Sequence, residues 1–471
     1  MKGKRVHFVG IAGMGMSAVA ILLKEQGWEV SGSDAEAYPP ATTQLERHKI
    51  PYNTSYNAKN ILHDADVIVI GKNAKLTREE NEEVRAGYES GARIVSFPEL
   101  LGEIVKERET IVVAGSYGKS TITSLLAWCL SHAGIDAGWF IGASPEGMEP
   151  AHLGTHPVFV LEGDEYPTSH EDLKPKFLHY HARDVLITAA THDHVNVYPT
   201  HDDYLKPFRT LLKSLPSNGL LVLSADERHA RTMVDTSSAR LVWYALNDES
   251  GWYARNIRYG DTTVFTLMKD GNSIIELETQ LMGAHNVENI VGVAAALLEK
   301  KLVTPKQLAA ALKHFKGLTR RLDKKTSNSS VPAYEGFGSS REKLQAAINA
   351  LKAQYPEKRL ILVFEPHTFS WRNKQMLHWF DTGFGGAELV VLYKPAEQGA
   401  DTHEQSTQEE MVRRLSEVGI IARPTNTPEE TLSVLSSEVR DGDLVLLSSS
   451  GSMDGLIEQI PQWLDTMFVN K

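Results

Sequence analysis

The sequence predicts an α/β protein of three domains, because short apolar strands alternate with amphipathic helical stretches along most of the chain. Two glycine-rich turns, GIAGMG near the start and GSYGKST further on, each join such a strand to a helical stretch. A third alternation of strands and helices follows a turn-rich segment. We therefore expect domain limits of 1–108, 109–325 and 326–471.

The composition is that of a globular protein. At 471 residues the chain is longer than one hydrophobic core usually holds, and it has 42% hydrophobic and 23% charged residues. A formal net charge of −11, from 49 basic and 60 acidic residues, argues against nucleic-acid binding. The single cysteine excludes a disulfide framework, and no run of about 18 apolar residues indicates a membrane span. The sequence predicts a cytoplasmic protein with small-molecule partners, and no pattern in it indicates an oligomeric state.

The first glycine-rich turn lies in a βαβ pattern. Strand 6–9, helical stretch 16–26 and strand 29–31 surround a GxxGxG turn. Asp34 follows the second strand, where a carboxylate can accept hydrogen bonds from ribose hydroxyls. The turn is either an ordinary tight connection or the binding site of a nucleotide or nucleotide-sugar diphosphate. We favour the second interpretation, in a Rossmann-like domain, because the glycines and the acid occur together.

The second turn, at residues 115–121, is typical of a phosphate-binding loop (P-loop). It follows strand 111–114 and precedes the helical stretch 122–130. Backbone N–H groups at glycines can surround phosphate oxygens, Lys119 can reach the terminal phosphates, and Ser120 or Thr121 can hold Mg²⁺. The loop is shorter than the full Walker pattern, which needs glycine where Val113 stands. It predicts that a central P-loop, ATPase-like domain on a parallel or mixed sheet consumes a nucleoside triphosphate. The residues expected at the nucleotide are Gly115, Ser116, Gly118, Lys119, Ser120 and Thr121.

Acidic side chains follow the next apolar strand, 158–161, in the sequence EGDE. The carboxyl ends of parallel strands meet at one sheet edge, so at least one of these acids is expected to bind Mg²⁺ beside the P-loop. The alternative is a solvated acidic loop. Strand 185–188 likewise leads towards His194, which makes His194 a candidate ligand of the same Mg²⁺. A zinc site is disfavoured, because the chain has no cysteine pair and no HExxH helix.

The third alternation begins after TSNSSVP at 326–332, which we expect to be a linker or an exposed loop. Helical patterns and apolar strands then predict a second Rossmann-like domain. They lie at 342–351, 359–364, 389–393, 408–418 and 444–448. Arg320 and Arg321, just before this segment, are either surface charge or a pair that can clamp phosphate when the domains close.

Five motifs in order resemble those of the Mur ligase family, ATP-dependent enzymes of peptidoglycan synthesis that join an amino acid or peptide to a UDP-muramoyl acceptor. VHFVGIAGMGMSAVA with SGSD resembles the UDP-binding domain of the branch that accepts UDP-N-acetylmuramate. AGSYGKST, LEGDEY, DHVNVYP and GAHNVENI resemble the family segments AGTHGKTT, EADE, DHMDxY and GxHNxxN. The resemblance covers nearly the whole chain.

The resemblance implies ATP and Mg²⁺ as cofactors and assigns roles to particular residues. The catalytic residues would be Lys119, Glu162, His194 and Arg321. The Mg²⁺ ligands would be Ser120, Glu162 and His194. Asn286 and Asn289 would join the P-loop residues in the nucleotide site, towards the adenine. The UDP-sugar would contact Gly10, Ile11, Ala12, Gly13, Met14, Gly15, Asp34 and Asn73.

The stretches SDAEAYPPATTQLE and KPKFLHYHAR are more similar to family members that attach L-alanyl-γ-D-glutamyl-meso-diaminopimelate to UDP-N-acetylmuramate in peptidoglycan recycling. The implied reaction forms an amide bond through an acyl phosphate. One alternative is the branch that adds L-alanine. The other is a ligase-like binding protein that has lost catalysis, because an aspartate and a histidine expected early in the third domain fall on Gly336 and Ser339.

Overall fold

A computed structural model describes residues 3–73, 75–143, 145–192, 197–260, 262–319, 321–395 and 404–470. It confirms an α/β protein, with three sheets. The chain divides into two compact units, the first formed by Met1–Ile257, Val264–Thr279 and Asn286–Phe315, the second by Arg258–Thr263, Gln280–His285 and Lys316–Lys471. The three domain limits remain a prediction. Within the described ranges, no helix is long and apolar enough to cross a bilayer.

The first sheet carries the N-terminal glycine turn. Its strands are β1 (Arg5–Val9), β2 (Glu29–Ser33), β3 (Tyr52–Asn53), β4 (Val67–Ile70) and β5 (Arg93–Val95). Its helices are α1 (Met14–Glu25), α2 (Ala41–Arg47), α3 (Glu82–Glu89) and α4 (Phe97–Val105). All strands are parallel, in the order β3-β2-β1-β4-β5. The turn therefore leaves the central strand at the carboxyl edge, where open α/β sheets bind ligands.

The second sheet carries the P-loop. Its strands are β6 (Glu109–Ala114), β7 (Gly138–Phe140), β8 (Ala151–His152), β9 (Val158–Glu162), β10 (Asp184–Ile187), β11 (Leu220–Ser224), β12 (Arg240–Ala245), β13 (Trp252–Arg258), β14 (Thr263–Lys269) and β15 (Asn272–Thr279). The associated helices are α5 (Lys119–His132), α6 (His201–Lys213), α7 (Arg228–Arg231), α8 (Ala284–Glu299) and α9 (Pro305–Leu312). The strand order is β15-β14-β13-β12-β11-β10-β6-β9-β7-β8. The sheet is mixed, because β7 and β8 are antiparallel while β9, β6, β10, β11 and β12 run parallel.

The third sheet has the order β16-β17-β21-β18-β19-β20. Its strands are β16 (Arg321–Lys324), β17 (Ala333–Gly336), β18 (Leu360–Phe364), β19 (Leu389–Tyr393), β20 (Ile421–Thr425) and β21 (Leu444–Ser448). Its helices are α10 (Arg341–Gln354), α11 (Phe369–Arg372), α12 (Gln408–Glu417), α13 (Pro428–Glu438) and α14 (Leu456–Met467). Alternate residues of β18 and β21 belong to separate apolar cores on the two faces of the sheet. This burial on both faces explains why β18 is apolar throughout and β21 is apolar from Leu444 to Leu447.

The segment 326–332 is a loop, but it is not an exposed linker. The carboxylate of Asp465 accepts hydrogen bonds from the backbone N–H groups of Ser327 and Asn328, at 2.9–3.1 Å. Ser329 and Val331 are buried. The prediction of an exposed loop holds for Ser327 and Asn328 and fails for Ser329 and Val331, because the Ser327 and Ser329 hydroxyls anchor the loop to the end of α14.

The first and second sheets are joined within the first compact unit. Their buried side chains form one continuous apolar core, and the rings of Phe97 and Phe140 stack 6.1 Å apart across the junction. His152 lies at the same junction, with Nε2 2.8 Å from Asp136 Oδ1 and Nδ1 3.5 Å from Glu25 Oε2. The hydrogen bonds to Glu25 and Asp136 raise the pKa of His152 to about 9.

The raised pKa of His152 predicts that stability depends on pH. Because the folded pKa lies above the unfolded value of about 6.5, the stabilisation is complete below pH 6.5 and is lost as pH rises through about 9. We expect the thermal midpoint to fall over this range, and to fall less in His152→Gln. The exposed His378, changed to Gln, is the matched control. Identical pH profiles for wild type and His152→Gln would contradict the assignment.

Candidate active site

The P-loop has the backbone geometry that its glycines permit. Gly115 and Gly118 have φ angles of +135° and +80°, which side-chain-bearing residues rarely adopt. A Cβ added to Gly115 would lie 2.2 Å from Thr188 Oγ1, so the loop closely approaches the end of β10. Gly118 is the N-cap of α5 and has no side chain to cap it. The first N–H groups of α5 can therefore bind an anion.

Lys119, the first residue of α5, is held by a buried network. Its Nζ donates to Glu165 at 2.8 Å and also to the carbonyl oxygen of Gly115. The Tyr204 hydroxyl donates to Glu165 Oε1 at 3.2 Å and to Ser116 Oγ at 3.0 Å. Burial lowers the pKa of Lys119, but the charge and hydrogen bond of Glu165, together with the charges of Asp164 and Glu162, outweigh burial, and the net shift is upward. The ammonium is therefore kept charged beside the loop.

Ser116 and Thr121 complete the P-loop in different ways. The Ser116 hydroxyl donates to the carbonyl oxygen of Thr191 at 2.6 Å, and its N–H donates to Ala189 at 2.9 Å. Both contacts tie the loop to the segment after β10. Thr121 is half-buried in the first turn of α5. Their contacts with a nucleotide remain predictions.

Glu162, the last residue of β9, pairs with the serine expected to bind Mg²⁺. Ser120 Oγ donates to Glu162 Oε1 at 2.7 Å, and the Gly142 N–H donates to Oε2 at 2.7 Å. Burial raises the pKa of Glu162 against these hydrogen bonds. A hydroxyl and a carboxylate suit Mg²⁺, which usually takes one or two carboxylates plus waters and phosphate oxygens. In the parts of the chain described, no cluster of three or more His, Cys, Asp or Glu forms a fuller metal cage.

The three acids of the EGDE segment have different partners. Glu162 contacts Ser120, whereas Glu165 forms the ion pair with Lys119. Asp164 pairs with Lys176, at 2.5 Å. Among these acids, only Glu162 contacts the hydroxyl of the P-loop, which supports it as the Mg²⁺ ligand. His194 lies outside the described residues, so its role remains a prediction.

The start of α8 lies against the P-loop. A Cβ added to Gly118 would be 2.7 Å from Asn289 Oδ1, and Asn289 Nδ2 donates to Asn286 Oδ1 at 3.2 Å. Both asparagines are buried. The structure thus brings Asn289 to the loop, while the contact with adenine that the family resemblance implies remains a prediction. Arg321 opens β16 in the second unit, with its guanidinium 5.4 Å from the Phe337 ring, and its phosphate role also remains a prediction.

The N-terminal glycine turn is organised by Asp34. The Asp34 carboxylate accepts hydrogen bonds from the Ala12 N–H at 2.9 Å, the Glu36 N–H at 3.0 Å and the Tyr56 hydroxyl at 3.3 Å. Asp34, Tyr56 and Asn73 line one cavity of about 320 Å³. The structure therefore brings together two of the predicted substrate residues and adds Tyr56.

The remaining predicted residues of the turn lie around this carboxylate. Gly10 and Ile11 donate their N–H groups to the Ser33 carbonyl oxygen at 2.8 and 3.0 Å. Gly13 is the N-cap of α1, and Met14 is its first residue. An added Cβ on Gly15 would lie 2.8 Å from the Phe97 ring, so a larger residue would clash there.

Gly336 and Ser339, where the family resemblance leads us to expect an aspartate and a histidine, lie at and just after the end of β17. Gly336 ends β17, and an added Cβ would meet Leu446 at 3.2 Å. Ser339 Oγ accepts a hydrogen bond from Lys343 Nζ at 3.2 Å. The neighbouring acid Glu335 is buried and pairs with Lys325 at 3.2 Å.

Sequence reasoning missed several residues of these sites. Glu165 was visible in the EGDE segment, but its pairing with Lys119 was not. Tyr204 is 39 residues from Glu165 in sequence, and no local pattern signals their contact.

A three-sheet α/β chain with a P-loop and an adjoining Ser–Glu oxygen pair has the architecture of a nucleotide-dependent enzyme. Residues 5–109 match the model described as Mur ligase family, catalytic domain, and residues 113–297 match Mur ligase middle domain. The chain belongs to the Mur ligase family. It is therefore an ATP-dependent ligase, as members of this family are, and the resemblance of its motifs is confirmed.

The relatives of this chain include ligases for two different amine substrates, L-alanine and a tripeptide. The chain is 28% identical over 470 residues to UDP-N-acetylmuramate–L-alanine ligase of Psychrobacter sp., covering 97% of this chain and 94% of the relative. It is 27% identical over 464 residues to UDP-N-acetylmuramate–L-alanyl-γ-D-glutamyl-meso-2,6-diaminoheptandioate ligase of Haemophilus influenzae, covering 97% and 98%. The solved structure of a UDP-N-acetylmuramate:L-alanyl-γ-D-glutamyl-meso-diaminopimelate ligase from Neisseria meningitides is 32% identical in sequence, with a TM-score of 0.62. It covers 68% of this chain and 100% of that one.

Proposed function

We propose that this enzyme is a murein peptide ligase, which joins L-alanyl-γ-D-glutamyl-meso-diaminopimelate to UDP-N-acetylmuramate in peptidoglycan recycling, with ATP and Mg²⁺. The observation that carries the proposal is the presence, in one compact unit, of the Lys119 P-loop with its Ser120–Glu162 pair and of the Asp34 cavity. One site suits a triphosphate and the other a nucleotide sugar. The choice of peptide is supported by the Neisseria relative at 32% identity.

The proposed chemistry needs the carboxylate to be activated, because a carboxylate is a poor acyl donor. A muramoyl carboxylate oxygen attacks the γ-phosphorus of ATP, ADP leaves, and an acyl phosphate forms. The peptide amine then attacks the acyl carbon, the C–O bond to phosphate breaks, and the amine proton passes to solvent. Lys119 and the N–H groups of α5 stabilise charge on the transferring phosphoryl group. Mg²⁺, held by Ser120 and Glu162, would supply further positive charge there.

The L-alanine-adding reaction is the second candidate, since the Psychrobacter sp. relative is 28% identical over nearly the same span. The third alternative from the sequence, a ligase-like protein that has lost catalysis, is suggested by the departures at Gly336 and Ser339, but membership of a family of ATP-dependent ligases opposes it. This third candidate is also opposed by the charged groups beside the P-loop, which binding of the sugar alone does not need. They form the Lys119–Glu165 and Ser120–Glu162 contacts.

One assay separates the three candidates. Purified protein receives UDP-N-acetylmuramate, ATP and Mg²⁺ with either L-alanine or the tripeptide, and both ADP and product mass are measured. We expect ADP and a mass gain equal to the tripeptide less water. A mass gain with L-alanine alone would support the second candidate, and no ADP with either amine would support the third.

Asp34 offers a prediction for the sugar site. Asp34→Ala removes the acceptor that orients the Ala12 N–H and the turn. Loss of such charge-assisted hydrogen bonds costs about 1.5–3 kcal/mol, so we expect UDP-N-acetylmuramate to bind roughly 10- to 100-fold more weakly by calorimetry. Tyr56→Phe is the milder control, because it removes only the 3.3 Å hydrogen bond. Unchanged affinity in Asp34→Ala would refute this site.

A further inference from the structure

The strand order at the carboxyl edge of the second sheet determines on which side of the P-loop each end of a bound nucleotide lies. Along this edge the strands follow the order β9, β6, β10, β11 and β12. Glu162 at the end of β9 lies on one side of the P-loop, with Ser120. Ser120 and Glu162 would hold the Mg²⁺ that accompanies the terminal phosphates, which puts the γ-phosphate end on the Glu162 side. The nucleoside must then leave the loop on the opposite side, towards β10, β11 and β12.

On that opposite side, α8 covers the ends of β11 and β12. Ser224 is the last residue of β11, and its hydroxyl donates a hydrogen bond to Glu288 Oε1 at 2.7 Å. Gly292, one turn further along α8, packs on the Tyr244 ring of β12, where an added Cβ would lie 3.1 Å away. The adjacent Asn289 contacts the P-loop at Gly118. Glu288 is therefore a carboxylate next to the path that a nucleoside takes from the loop.

We propose that Glu288 selects the nucleobase by accepting a hydrogen bond from an exocyclic amine, so that the site takes adenine nucleotides and rejects purines with a carbonyl at that position. This inference rests on the proposed use of ATP and adds a residue that determines the base. Among the described residues, Ser224 is the partner of Oε1, and Oε2 has none. An ionised carboxylate only accepts hydrogen bonds, so a base carbonyl placed against it is repelled. A buried polar group that must pair discriminates strongly against a ligand that cannot pair with it.

The surroundings of Glu288 make this selection depend on pH. Burial raises the pKa of Glu288 to about 7, and the negative charges of Asp226 and Glu227 add to the effect. Burial raises the pKa of Tyr244 of β12 further above its ordinary value, so this phenol adds no charge near pH 7. A protonated carboxyl can donate to a carbonyl oxygen. Discrimination against the carbonyl base should therefore be strongest above pH 7 and weaken below it.

The test compares ATP with inosine triphosphate, which carries a carbonyl in place of the 6-amino group. Each nucleotide competes with a fluorescent ADP analogue for the full-length protein at pH 6, 7 and 8.5. For wild type we expect at least about 30-fold preference for ATP at pH 8.5, falling several-fold by pH 6. In Glu288→Gln, whose amide can both donate and accept, we expect less than about 5-fold preference at every pH.

Glu227→Gln is the matched control, because it removes a neighbouring charge and leaves Glu288 in place. It should keep the preference for ATP and shift the pH midpoint downwards. The wild-type pH profile tests the proposal without any variant. A wild-type preference that is independent of pH, or retained in Glu288→Gln, would overturn the proposal. These measurements use neither sugar nor amine, so ATP binding without discrimination contradicts only this inference, whereas absence of nucleotide binding contradicts the proposed function as well.

Discussion

Lys119→Ala is expected to lower kcat/KM by at least about 10³-fold, because no other described side chain places a cation inside the P-loop. The Lys119 ammonium lies between Gly115 and Glu165, at the start of α5. The effect should fall mainly on kcat, since charge on the phosphoryl group is greatest in the transition state. Steady-state ADP release with saturating substrates measures it.

Loss of activity in Lys119→Ala must be separated from loss of the fold. The variant leaves the buried Glu165 carboxylate without its ion-pair partner, which costs about 3–5 kcal/mol of stability. Combining Lys119→Ala with Glu165→Gln removes that charge, and Tyr204 can still donate to the amide oxygen. We expect the double variant to recover most of the thermal stability and none of the activity. A stable variant of either kind with near wild-type turnover would disprove the role of Lys119.

Glu162→Gln has the second-largest expected effect. The amide oxygen can still accept from the Gly142 N–H and the amide NH2 can donate to Ser120 Oγ, but the charge that attracts Mg²⁺ is lost. We expect kcat/KM to fall about 10²-fold at ordinary Mg²⁺ and to recover in part at high Mg²⁺. Because burial raises the pKa of Glu162, wild-type activity should also decline towards acidic pH at a higher value than an exposed glutamate would give. Titrating ADP formation with Mg²⁺ at several pH values measures both effects.

Asp164→Asn is the control for Glu162→Gln. Asp164 belongs to the same acidic segment, but its carboxylate pairs with Lys176 and not with the P-loop hydroxyl. Its Mg²⁺ dependence should match that of wild type. If Glu162→Gln had the wild-type Mg²⁺ dependence and Asp164→Asn did not, the metal would belong to Asp164.

The strands that could be predicted are those buried on both faces. The predicted limits 67–70, 389–393 and 444–448 agree with β4, β19 and β21, because such strands are continuous apolar runs. Strands β13 to β15 were not predicted, since polar and apolar residues are mixed along them, as in Trp252–Arg258. Helix α8 was also missed, because its buried stretch from Ile290 to Leu297 lacks a polar face that would mark a helical period.

The site residues that could be predicted lie close together in the sequence, whereas those that could not be predicted come from distant parts of the chain. The P-loop and the Asp34 turn could be predicted because each function depends on glycines and one acid within a single βα connection. The partners of those residues could not. Glu165 reaches Lys119 from 46 residues away, and Ser224 reaches Glu288 from 64 residues away, through contacts that only the folded sheet creates.

In the proposed reaction, ATP bound at the Lys119 loop activates the carboxylate of a UDP-linked sugar acid. The most direct measurement uses UDP-N-acetylmuramate labelled with oxygen-18 in its carboxylate, with ATP, Mg²⁺ and the tripeptide. We expect each inorganic phosphate released to carry one labelled oxygen, because the amine attacks the acyl carbon and the C–O bond of the acyl phosphate breaks. Unlabelled phosphate accompanying product formation would contradict the proposed reaction.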